Sequence, residues 1–193
     1  MLILLIRIYV FGGGQAHKQR FNDTLKIELE DPHLQKKYVT NKLKVSKVEY
    51  QPNSPVPSAR TYHAACLIRN FMVIVGGEAN SDLRDIWTLD LDTMMWYKPE
   101  VQGFDNYTPK RFHTVSTITD TQIITFGGCH SEYVHMNELH VFELSKFFED
   151  PSDINNMIAC TKVTVTEGVP STRWGHAASA SNGKLYILGG RNE

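Results

Sequence analysis

The sequence predicts an all-β chain made of repeated four-stranded antiparallel sheets. Three observations carry the prediction. An apolar run closed by two glycines occurs four times, ending at Gly12-Gly13, Gly76-Gly77, Gly127-Gly128 and Gly189-Gly190. The first glycines of successive copies are 64, 51 and 62 residues apart, a period that marks repeat architectures. Within a period, short apolar or alternating runs are separated by turn signals, and four such strands form one antiparallel sheet.

The elements follow in order. Residues 2–11 are a β-branched and aromatic run that closes on Gly12-Gly13-Gly14, a strand and then a turn. No basic stretch precedes this run, Arg7 interrupts it, and it passes straight into the first diglycine. It therefore reads as a buried strand and not as a signal peptide or a membrane span. Leu25, Ile27 and Leu29 alternate with polar residues, the period of a half-buried strand. Residues 30–42 are charged and weakly patterned, and Leu43, Val45 and Val48 suggest a further strand before the Pro-rich turn 51–57.

The second repeat is the clearest, with strands over 61–68, 71–75 and 85–91 and a fourth starting at Met94. The third repeats this order over 113–118, 122–126 and 137–144. Residues 145–159 read as an insertion with room for a short helical turn, and 161–166 as the fourth strand. The last repeat holds only 174–180, the turn Ser181-Asn182-Gly183-Lys184, and 185–188. The count is three, four, four and two strands.

Composition narrows the function classes. The net charge is −1, from 20 basic and 21 acidic residues. That gives no electrostatic case for nucleic acid or an anionic membrane as a partner. Cys66, Cys129 and Cys160 are too few and too odd in number for a disulfide framework, which points to a reducing, cytoplasmic setting.

The phrase Pro-x-x-Arg-x-x-His precedes the first strand at Pro57-Ser58-Ala59-Arg60-Thr61-Tyr62-His63 and at Pro170-Ser171-Thr172-Arg173-Trp174-Gly175-His176. Pro109-Lys110-Arg111-Phe112-His113 is a compressed version. An Asp or Asn opens the third strand at Asn22-Asp23, Asp85 and Asn137, and Trp96 supplies an aromatic in a fourth strand. With the four diglycines, these residues resemble the kelch repeat, and the resemblance covers nearly the whole chain.

The resemblance implies an incomplete kelch-type β-propeller, because a four-stranded blade is too small to bury its faces alone and blades stack radially. It divides a single domain over 1–193 into a partial blade 1–50, blades 58–103 and 109–168, and a partial blade 170–193. Thirteen strands make just over three blades, fewer than the usual four to eight. The chain is therefore expected to be an incomplete propeller, as a truncated product, a partial gene model or a piece of a larger protein.

The resemblance also implies roles. In several kelch propellers the arginines of the lead-in phrase line one face and bind acidic peptides, which makes Arg60, Arg111 and Arg173 the binding candidates. An arginine fork suits carboxylates. The alternative is that these side chains stabilise packing between blades. His63, His113 and His176 stand at matching positions, one per blade, and with Trp96 and the diglycines they are structural parts of the motif. Cys129, His130 and His135 cluster on a loop without a fourth ligand at zinc spacing, so no metal and no cofactor is expected. No P-loop, Ser-His-Asp order or paired carboxylate site is defensible. The leading expectation is a non-catalytic interaction module, a scaffold or substrate-recruiting adaptor. The alternative is an accessory part of a larger enzyme: a ubiquitin-ligase subunit, a phosphatase, or an oxidase, since galactose oxidase contains kelch-like blades.

Overall fold

The computed structural model describes residues 4–15, 19–31, 42–131 and 134–192. Strands dominate, and one short 3-10 turn, Phe104–Asn106, is present among the described residues. Four antiparallel sheets follow one another along the chain. The first holds Leu4–Phe11, Thr24–Asp31 and Lys42–Lys47. The second holds Ala64–Ile68, Phe71–Val75, Ile86–Asp90 and Met95–Tyr97, hydrogen-bonded in chain order. The third holds Thr114–Thr117, Gln122–Phe126, Leu139–Glu143 and Ile158–Val163, and the last Ala177–Ser181 and Lys184–Leu188. The innermost strands of the last three sheets lie side by side, so the sheets are blades radiating from a common axis. This is a partial propeller.

The unbroken apolar run of Phe71–Val75 reflects burial on both faces. Val73 and Val75 face the third blade, in a core with Ala64, Ile86, Val115, Ile123 and Phe142. Met72 and Ile74 face the first, in a core with Phe11, Leu89 and Trp96. Trp96 is fully buried, with edge contacts to Phe11 at 5.2 Å, Tyr50 at 6.2 Å and Trp87 at 6.5 Å. At the ends of the arc the equivalent faces are open. Ile6, Ile8, Val10 and Val45 are exposed on the first blade, and Tyr186 and Leu188 on the last.

Two boundaries differ from the sequence reading. Val101–Gln102, read as the end of the second blade, pairs in parallel with Ile158 and Ala159 and so borders the third. The fourth strand of that blade starts at Ile158, not at Thr161, because Ile158 is fully buried in the core. The insertion before it contains turns and no described helix, and Phe147 anchors it by packing against Phe71 at 5.5 Å. Residues 32–41, part of the charged stretch, lie outside the described residues. Beyond the blade strands, short hairpins follow two of the diglycines: Gly14–Gln15 with Gln19–Arg20, and Cys129–His130 with Val134–His135.

The diglycines bind one blade to the next. The first glycine's N–H donates within its own blade, from Gly12 to the Asp23 carbonyl (3.0 Å), Gly76 to Asp85 (3.0 Å) and Gly127 to Glu138 (3.1 Å). The second donates to the following blade, from Gly13 to the Arg60 carbonyl (2.9 Å), Gly77 to Lys110 (2.9 Å) and Gly128 to Arg173 (2.8 Å). A third residue closes each circuit. The N–H groups of Phe21, Leu83 and Met136 donate to the second glycine's carbonyl, and their carbonyls accept from the N–H groups of Arg60, Lys110 and Arg173. Three junctions thus share one backbone pattern.

Candidate functional site

The lead-in phrases meet at these junctions, on the loop face of the arc. Arg60 is fully buried there. Its Nε donates to the Ser58 carbonyl (3.1 Å). Nη1 donates to the Gly76 carbonyl (3.0 Å) and to Asp85 Oδ1 (2.6 Å). Nη2 donates to Ser58 Oγ (3.1 Å) and to Asp85 Oδ2 (2.8 Å). All five guanidinium donors are used. The Trp87 indole N–H adds a third bond to the carboxylate, at 2.8 Å to Asp85 Oδ2.

In the third blade the position of Arg60 is taken by Lys110, not by Arg111, as the bonds to the preceding diglycine establish. Lys110 is buried. Its ammonium sits 3.3 Å from Glu138 Oε2 and 4.5 Å from the centre of the Tyr107 ring. Burial holds this ammonium below its ordinary range, with Glu138 pulling the other way. Burial pushes the Glu138 carboxyl up, but Lys162, at 2.6 Å, and Lys110 outweigh it and leave it below the usual carboxylate range.

Arg111 stands one residue further on, at the place of Thr61; both pair in antiparallel with the residue after a diglycine. Its guanidinium meets Glu78, which also binds Arg20, and lies 3.5 Å from Asp82. Arg173 does take the position of Arg60, with its guanidinium at the surface.

His63, His113 and His176 stand directly before the inner strands, and each turns Cε1 toward the first glycine of the preceding diglycine. Their rings also lie against the carbonyls of Phe11, Val75 and Phe126. Thr114 Oγ1 meets His176 Nε2 at 2.9 Å, whereas both ring nitrogens of His113 lack a hydrogen-bond partner. Burial, aided by Arg60, depresses His63 to about 4; burial, aided by Lys110, depresses His113 to about 3. These rings stay neutral in the folded protein, while the unfolded chain takes up protons near 6.5. Stability is therefore present above about pH 6.5 and falls as the pH drops below it. His113 alone is expected to cost up to about 2 kcal/mol by about pH 5. Urea melts at neutral and acidic pH measure this, and His113→Gln should flatten the acid limb.

The Cys129, His130 and His135 cluster folds onto the hairpin after the third diglycine. His130 Nδ1 lies 3.0 Å from the Pro109 carbonyl and 3.3 Å from Asp82 Oδ2. Among the described residues, no group of three or more His, Cys, Asp or Glu is arranged to hold a metal ion. All three cysteines are free; burial pushes the Cys66 thiol up to about 12 and Cys160 to about 11, so neither is a ready nucleophile. No described helix is long and apolar enough to cross a membrane.

Sequence reasoning missed the aromatic row on this face. Tyr62 and Phe112 stack at 4.1 Å between ring centres, and Phe112 meets Trp174 at 5.2 Å. Tyr62 and Phe112 hold left-handed backbones, φ 58° and 56°, where bulky residues are rare. The row is tied along its backbone: the Phe112 N–H donates to the Tyr62 carbonyl and the Gly175 N–H to the Phe112 carbonyl, both at 3.0 Å. Tyr62 is 47% exposed. The available signal was the aromatic residue beside the histidine in two lead-in phrases, with Trp174 one place earlier in the third.

Residues 3–190 match the family described as the KLHDC2/KLHL20/DRC7 Kelch-repeats domain. The chain is 30% identical over 154 residues to host cell factor 1 of Homo sapiens, covering 71% of this chain and 7% of that protein. It is 29% identical over 188 residues to tip elongation aberrant protein 1 of Schizosaccharomyces pombe, covering 95% and 14%. It is 25% identical over 187 residues to Adagio-like protein 1 of Oryza sativa, covering 95% and 26%. The chain thus spans about a quarter or less of each of these relatives. The diglycine junctions, the radial blades and the family match over nearly the full length agree: the chain belongs to the kelch-repeat family.

Proposed function

We propose that this chain is a protein-interaction module that carries no chemistry of its own and works as a scaffold or substrate-recruiting adaptor. The observation that carries the reading is the row Tyr62, Phe112 and Trp174. Two bulky side chains are held in an unfavourable backbone conformation and left partly exposed on a loop face. Backbone strain kept at a surface is a pointer to function, and aromatic anchors dominate interface energetics. Arg111 is met by Glu78 and Asp82 and Arg20 by Glu78, so Arg173, next to Trp174 with its guanidinium at the surface, is the lead-in arginine that suits an acidic residue of a partner segment. Arg60 has no part in this, because Asp85 occupies its fork. The three free thiols fit a reducing compartment, so we place the protein in the cytoplasm.

Tyr62→Asn with Phe112→Asn is the test, because asparagine tolerates the left-handed conformation while the aromatic surface is lost. Partner capture by the full chain should drop by about 30-fold or more, the effect of losing a binding hot spot, with the melting temperature unchanged. Quantitative capture with mass spectrometry reads this out. An unaltered set of captured proteins would sink the proposal.

A further inference from the structure

The Pro-rich stretch between the first two blades lies along the outer edge of the second. Met95–Tyr97 is the outermost strand of that blade, and residues 51–54 are bonded beside it. The Gln51 N–H donates to the Met94 carbonyl (3.1 Å), and the Trp96 N–H donates to Ser54 Oγ (2.9 Å). A serine hydroxyl thus takes the outward N–H of the residue whose side chain fills the core between the first two blades. The Ser54 hydroxyl donates in turn to the Pro55 carbonyl (3.1 Å), and the Ser54 N–H to the Gln51 carbonyl (3.0 Å). None of residues 51–56 is buried. Lifting this strap opens those surface bonds and the turn at Asn53, φ 65°, and pulls no buried side chain out of the core.

Two places in the chain put a hydroxyl directly before proline, Ser54-Pro55 and Thr108-Pro109. Proline has no N–H and a fixed φ, so an enzyme cleft with an apolar seat and no main-chain acceptor at that place selects such a hydroxyl. The fold separates the two. Thr108 follows Tyr107 and comes two residues before Lys110, both fully buried. The Pro109 carbonyl lies 3.0 Å from His130 Nδ1, and the Lys110 backbone is bonded to Leu83 and Gly77. Ser54 is instead flanked by Pro52, Asn53, Pro55 and Val56, all exposed, in a run without charge.

We propose that Ser54 is phosphorylated by a proline-directed protein kinase, and that the phosphate releases residues 51–56 from the outer edge of the second blade. The bond from Ser54 Oγ to phosphorus forms as the γ-phosphoryl group of ATP leaves ADP, and the hydroxyl proton passes to the kinase's base. The phosphoryl group takes the place of the hydroxyl hydrogen, which is aimed at the Pro55 carbonyl. Its oxygens carry nearly two negative charges and repel that carbonyl. The side chain must turn away, and the Trp96 N–H loses its acceptor. The strand Met95–Tyr97 then presents an uncovered edge, a local change that leaves the diglycine junctions in place. This site is separate from the Tyr62–Phe112–Trp174 row and stands without it.

The probe is a purified mitogen-activated protein kinase with labelled ATP, applied to the full chain and to peptides of residues 49–59 and 103–113. Both peptides should be labelled. In the folded chain Ser54 should be labelled, with Thr108 slower by about tenfold or more, because its segment reacts only after local opening. Phosphorylation should then speed amide exchange at Trp96 about fivefold or more, the loss of one hydrogen bond. The labelling uses the unaltered chain, so it does not depend on a variant that folds; Ser54→Ala serves to confirm the position by mass spectrometry. Four results overturn the proposal: a 49–59 peptide that the kinase leaves untouched, a folded chain unlabelled at Ser54, Thr108 labelled as readily as Ser54, or a phosphorylated chain whose Trp96 exchange is unchanged.

Discussion

Gly77→Ala is expected to unfold this protein under conditions in which Gly13→Ala leaves it folded. Both glycines hold φ 94°, so both substitutions carry the same left-handed strain of about 1 kcal/mol. They differ in what surrounds the new methyl group. At Gly13 a Cβ meets nothing within 4 Å. At Gly77 it meets the Thr61 carbonyl oxygen at 2.6 Å and the backbone N and Cβ of His63 at 2.8 Å. Those atoms belong to the lead-in phrase and cannot yield without moving the inner strand. The Gly77 N–H is also the bond to Lys110 in the next blade, so a shift opens the junction. A loss of about 4 kcal/mol is expected for Gly77→Ala against about 1 kcal/mol for Gly13→Ala. Denaturant melts of the two variants measure the difference, and equal losses would refute the account of close approach.

Arg60→Met is expected to cost about 3 kcal/mol. The substitution keeps an apolar stem but leaves Asp85 with the Trp87 indole as its one side-chain donor. Breaking a buried pair from one side typically costs about 3–5 kcal/mol; the lower end applies because the Asp85 side chain keeps 19% of its exposure. Arg60→Lys should also be costly, since one ammonium cannot serve acceptors on Ser58, Gly76 and Asp85 together. The third blade suggests a rescue, because Lys110 pairs there with the longer Glu138. Arg60→Lys with Asp85→Glu should recover about half of the single-variant loss, a coupling within the range seen for contacting pairs. A double-mutant cycle in denaturant decides it, and strict additivity would show that the two junctions are not interchangeable.

Both expectations bear on how much was legible beforehand. Apolar runs, turn residues and diglycines are local signals, and they placed the second strand of every blade and the third strand of the first three because strand formation and burial period are written in adjacent residues. Trp96 was readable for the same reason, as an aromatic in a strand that must pack against a neighbouring sheet. The start of the strand at Ile158 was not, since its pairing with Leu139–Glu143 and its place in the core are set by chain far from it.

The lead-in phrases show where local reading stops. Pro57-Ser58-Ala59-Arg60 and Pro170-Ser171-Thr172-Arg173 are nearly the same four residues, and they build the same cradle. Arg60 is buried in a bidentate pair, and the phrase alone does not reveal this because the carboxylate comes from 25 residues downstream of Arg60. In Pro109-Lys110-Arg111 the residue type favoured Arg111, while the backbone counts back from His113 and puts Lys110 in the socket. The sequence by itself determined the blades, their order and the family. Tertiary structure alone decided that Asp85 covers Arg60 and that Lys110, not Arg111, fills the socket, and it drew Tyr62, Phe112 and Trp174 into one row. The reason is that burial of a charge and stacking of rings depend on partners that the chain delivers from other blades.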